Sequence, residues 1–79
     1  YPNPFNPETT IEFELPEKNF TSLIIYNVRG QIVETLSSTV LNKGIYSVSW
    51  NAADFPSGVY FYTLSSGNLT QTKKLSLIK

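Results

Sequence analysis

The chain has 79 residues, no net charge, no cysteine and no histidine, and 41% of its residues are hydrophobic. That is one domain at most, with enough apolar residues to build a core that no disulfide staples. Zero net charge leaves no basic excess for a phosphate backbone, and no apolar run nears the ~18 residues of a bilayer span. Nucleic acid and membrane insertion are therefore not expected.

The opening, Tyr1-Pro2-Asn3-Pro4-Phe5-Asn6-Pro7, carries three prolines. Each fixes φ and lacks an N–H, so residues 1–8 read as a stiff lead-in, neither helix nor central strand. Phe5 is expected to pack onto the end of the domain. Thr9 to Leu15 then alternates strictly, with Ile11, Phe13 and Leu15 on one face and Glu12 and Glu14 on the other. A period of two predicts a half-buried strand, ended by Pro16.

Phe20 to Tyr26 is apolar on both faces at Leu23-Ile24-Ile25 and suits a central strand. Asn27-Val28-Arg29-Gly30 predicts a tight turn with positive φ at Gly30. Gln31 to Leu36 follows as its hairpin partner. Ser37 to Gly44 reads as a polar connection ending in a turn.

Ile45 to Asn51 alternates again, with Tyr46, Val48 and Trp50 inward. Ala52 to Gly58 is a loop. Val59 to Leu64 is an aromatic strand, with Tyr60 and Tyr62 inward. Ser66-Gly67-Asn68 turns the chain, and Thr70 to Ile78 forms a last strand. Short strands at such intervals, with no 3.6-residue period, predict an all-β, disulfide-free, immunoglobulin-like antiparallel sandwich of about seven strands over residues 9–79. Trp50 should anchor its core, and Tyr60 stands where such domains place a corner tyrosine.

Chemistry is sparse. Without histidine or cysteine there is no ready general base, imidazole ligand or thiol nucleophile. Glu12 and Glu14 lie ~6.7 Å apart on one strand face, but nothing there would raise one carboxyl's pKa. Asn51 and Asp54 are too few oxygens for calcium and suit an Asx turn instead. We expect no enzyme, no metal and no cofactor. The last strand, with Lys73 and Lys74, has two open readings. A partner adds a strand to it, or its lysines guard an edge against aggregation.

The opening Tyr1-Pro2-Asn3-Pro4-Phe5-Asn6-Pro7-Glu8-Thr9-Thr10-Ile11 resembles the start of type A C-terminal sorting domains of the type IX (Por) secretion system. So do Tyr26 to Val33 at the first hairpin, Gly44, Trp50-Asn51, and Pro56 to Tyr62. Lys73-Lys74-Leu75-Ser76-Leu77-Ile78-Lys79 resembles its ending. Asn-Pro-Phe-Asn-Pro and the Val-Arg-Gly hairpin also resemble the immunoglobulin-like domain of the flagellar hook-cap scaffold.

The first resemblance implies a single C-terminal domain, residues 1–79, carried behind a cargo domain in a larger secreted protein. It implies passage through the periplasm of a gram-negative bacterium and delivery to the surface or medium. Its partners would be the outer-membrane translocon and a sortase that cleaves near the domain's start. Recognition residues carried over from that family are Gly58, Tyr60, Lys73, Lys74, Leu75 and Lys79. The alternatives are a scaffold or spacer module and a carbohydrate-binding accessory module.

Overall fold

The computed structural model describes residues 8–78; the proline-rich lead-in up to Pro7, Phe5 included, and Lys79 lie outside the described residues. Six strands follow in chain order: β1 (Glu8–Leu15), β2 (Asn19–Asn27), β3 (Ile32–Leu41), β4 (Gly44–Asn51), β5 (Gly58–Ser66) and β6 (Leu69–Leu77). They form two antiparallel sheets, β1-β4 and β3-β2-β5-β6. The class expected from the alternation is present, with six strands rather than about seven among the described residues.

The small sheet pairs without a break from Glu8↔Asn51 to Leu15↔Gly44. The same-face positions of β1 and β4 therefore meet as Ile11↔Val48 and Phe13↔Tyr46. The Phe13 and Tyr46 rings stack at 5.5 Å, an aromatic pair of the kind worth roughly 0.5–1.5 kcal/mol beyond its buried area. The Tyr46 hydroxyl donates to the Asn42 carbonyl at 2.7 Å and ties the β3–β4 connection down.

The facing sheet contributes Leu23 and Ile25 from β2, Tyr60 and Leu64 from β5, and Leu77 from β6 to the same core. Trp50 is its largest fully buried side chain, 1% exposed, packed against Phe55 and Tyr60. Each such side chain stabilises the fold by about 1.5–3 kcal/mol through apolar burial. The central place expected for the Phe20–Tyr26 strand is seen, since β2 lies between β3 and β5.

The first hairpin follows the turn chemistry of its sequence. Gly30 has φ +81°, and the Asn27 side-chain oxygen accepts from the N–H groups of Arg29 and Gln31 at 2.9 and 3.0 Å. Beyond Leu36 the expectation fails. Ser37 to Leu41 is not a connection but the second half of β3. Two register shifts leave Leu36 and Val33 out of the pairing with β2, and both pack against the core. Both bulges precede Ser37; Ser37 to Leu41 pairs with β2 in unbroken register, and its polar run Ser37-Ser38-Thr39 carries no apolar alternation to mark a strand.

One buried polar pair joins segments far apart in the chain. The Thr21 hydroxyl donates to the Asn19 carbonyl at 3.1 Å, which leaves Ser66 as donor in the 2.9 Å Thr21–Ser66 hydroxyl bond. Both side chains are buried. Thr21→Val is therefore expected to cost about 1–3 kcal/mol, because it strands the Ser66 hydroxyl. Urea unfolding of this variant beside Thr21→Val/Ser66→Ala checks it: the double variant should be no less stable than the single one.

Candidate functional site

Strands β5 and β6 form a hairpin closed by the two-residue loop Gly67-Asn68 and paired without a break from Ser66↔Leu69 to Gly58↔Leu77. Five of the six recognition residues expected from the sequence sit on this hairpin: Gly58, Tyr60, Lys73, Lys74 and Leu75. Lys79 lies outside the described residues.

The pairing divides them into two groups. Tyr60 sits directly across from Leu75. Tyr60 is buried and Leu75 packs against the core. The Tyr60 ring meets the edge of Trp50 at 5.3 Å, and its hydroxyl donates to the Pro56 carbonyl at 2.6 Å. Such a bond to a backbone carbonyl a few residues upstream is the one a corner tyrosine makes. Tyr60→Phe keeps the ring and deletes that bond. The expected cost is about 0.5–1.5 kcal/mol, a fall in melting temperature of roughly 3–9 °C, read by thermal unfolding.

Lys73 and Lys74 are exposed. They face opposite sides of the sheet, Lys73 across from Tyr62 and Lys74 across from Phe61. Gly58 opens β5 at φ +152° with nothing within 4 Å of where a Cβ would stand. What selects glycine there is the backbone conformation and not a lack of room.

The sheets are unequal, and this decides what β6 shows. Its inward register holds Leu69, Gln71, Lys73, Leu75 and Leu77, across from Ser66, Leu64, Tyr62, Tyr60 and Gly58. Leu69, Leu75 and Leu77 pack into or against the core, whereas Gln71 and Lys73 stay exposed. The outer face carries Lys74, Phe61, Tyr26 and Ile32 in one cross-strand row.

The other motifs have structural places. Glu12 and Glu14 are exposed on β1, opposite its apolar face. The Asn51 side-chain oxygen accepts the Ala53 N–H at 3.0 Å, the Asx turn expected of that loop. Among the described residues no group of three or more His, Cys, Asp or Glu could hold a metal ion, and no helix is long and apolar enough to cross a membrane.

The fold and the hairpin together define an antiparallel β-sheet module whose distinctive surface is a cationic edge strand. The chain belongs to the family of secretion system C-terminal sorting domains, those of type IX secretion, whose model matches residues 1–79, its whole length. This is a family of sorting signals and not a catalytic one. Such a tail marks a secreted or cell-surface protein and is recognised, on its cargo chain, by the type IX machinery. No curated protein and no solved structure is significantly similar to the chain.

Proposed function

We propose that this domain carries an upstream cargo from the periplasm through the outer-membrane translocon of the type IX system, and that a surface sortase then removes it. The observation that carries the reading is the family match over all 79 residues. The lysine-bearing hairpin supplies a surface for the contact: Lys73 and Lys74 are exposed, while Tyr60 and Leu75 hold the strand that displays them. In this reading Gly58, Tyr60 and Leu75 act through the shape of the hairpin. Lys73, Lys74 and Lys79 meet the partner.

The sandwich is of immunoglobulin-like type in this proposal, supported by the two facing sheets and the Tyr60 bond to Pro56. Burial of Trp50 and Tyr60 in the core weakens the carbohydrate-platform alternative, although Tyr26 and Phe61 stand half-buried on the outer face.

The test is removal of residues 1–79 from the parent protein in its own host, followed by fractionation. The truncated cargo should accumulate in the periplasm. The intact parent should reach the surface or medium with a mass lacking this domain. Normal surface delivery of the truncated cargo would overturn the sorting role, and a secreted parent of full mass would overturn the cleavage.

A further inference from the structure

The pairing of β6 fixes which of its backbone groups are free. In a two-residue hairpin loop such as Gly67-Asn68 the flanking residues, Ser66 and Leu69, form a hydrogen-bonded pair. In an antiparallel ladder hydrogen-bonded pairs recur every second residue. With no break in register, Leu69, Gln71, Lys73, Leu75 and Leu77 therefore spend their backbone groups on β5. Thr70, Thr72, Lys74 and Ser76 point theirs away from it. The 3.0 Å contact between the Thr63 and Thr72 hydroxyls agrees, since side chains come closest at non-hydrogen-bonded pairs.

No strand among the described residues lies beyond β6. Four N–H and four C=O groups thus stand along its outer edge, with steps of ~6.7 Å between donors. Of the four sheet edges this is the longest without a register break: nine residues, against eight each in β1 and β4 and a β3 twice bulged. Bulges blunt an edge.

We propose that an extended, carboxylate-bearing segment of the export receptor adds to β6 as a fifth strand of the large sheet. This rests on the sorting role above and names how the partner reads the hairpin. Charge selects the occupant. Lys73 and Lys74 lie at the middle of the strand, one on each face, and no ion pair among the described residues neutralises either. A second copy adding antiparallel to β6 about its centre sets the lysines of both chains against each other, and like charges opposed across strands are unfavourable. An acidic strand relieves both charges and satisfies the open backbone groups together.

Proline separates backbone from side-chain recognition. Lys74→Pro and Ser76→Pro each delete an outward N–H that the fold does not use, the placement an edge strand tolerates. Lys74→Ala and Ser76→Ala keep the N–H. Each variant is carried on a periplasm-directed fluorescent cargo for export, and its 79-residue chain is melted to confirm the fold. Both prolines should lower export by on the order of tenfold below the matching alanine variants, at melting temperatures that leave the domain folded. Export equal to the alanine variants, with wild-type export intact, overturns the strand addition and leaves the sorting role standing. Loss of wild-type export strikes the sorting role itself. Sedimentation of the wild-type chain should show a monomer. A dimer abolished by Lys74→Pro would make the occupant a second copy and overturn the acidic receptor strand.

Discussion

Trp50→Ala is expected to remove a quarter or more of the domain's stability. The indole is 1% exposed, meets Tyr60 edge-on at 5.3 Å and lies 5.7 Å from Phe55. It joins the end of the small sheet to the start of β5. Truncating a buried aromatic to alanine costs about 3–5 kcal/mol, against roughly 4–12 kcal/mol for a domain of this size. With no disulfide to hold the unfolded chain together, nothing offsets the loss. The urea midpoint should fall by about 1.5–4 M, or the chain should be unfolded in water. A fall worth less than about 1 kcal/mol would show that Trp50 is not the anchor. Trp50→Phe sharpens the test. Among the described residues the buried indole N–H has no hydrogen-bond partner, so there phenylalanine deletes volume without breaking a hydrogen bond. Its cost should stay well below that of alanine.

The second large effect falls on export and leaves stability nearly untouched. Lys73→Glu with Lys74→Glu reverses two exposed charges that make no ion pair among the described residues. Changes at such sites usually stay within about 0.5 kcal/mol of neutral. If an acidic strand lies against β6, however, two attractions become two repulsions at its centre. A tenfold loss of binding needs only about 1.4 kcal/mol, less than such a reversal is expected to cost in a partly desolvated contact. Export should therefore drop more than tenfold while thermal unfolding barely moves. Reversing Lys18 and Lys43, exposed in the β1–β2 and β3–β4 connections rather than on β6 itself, serves as the control. Equal losses from both pairs would mean that overall charge, not the β6 surface, governs export.

What the sequence disclosed follows from how each element is buried. β1 and β4 lie with one face on the core, so Ile11, Phe13 and Leu15, then Tyr46, Val48 and Trp50, alternate with polar residues and announce themselves. Turn chemistry was equally local, since Asn27 and Gly30 build the first hairpin within five residues. The second half of β3 was hidden because it lies on a sheet edge and opens with three polar residues in a row, Ser37-Ser38-Thr39, which show no alternation. The Thr21–Ser66 pair spans 45 positions, and nothing local marks either hydroxyl as buried.

The site divides the same way. Lys73 was legible, with Lys74, as a lysine of the last strand that either guards an edge or meets a partner. Its exposure has a cause that no single strand reveals: a two-stranded sheet faces a four-stranded one. Tyr60 and Leu75 read as a motif in the sequence, and the register turns them into a cross-strand pair against the core. That β6 is an edge, and which of its N–H groups are open, required the strand order. Pairing between distant segments leaves no trace in the local pattern.

The most direct measurement of the central claim grafts the domain onto a foreign cargo. Residues 1–79 are fused behind a periplasm-directed fluorescent protein in a host with an intact type IX system and in a matched host lacking the translocon. Fluorescence should appear at the surface or in the medium of the first host and stay in the periplasm of the second. Periplasmic retention in both hosts, with the domain shown to be folded, would contradict the account.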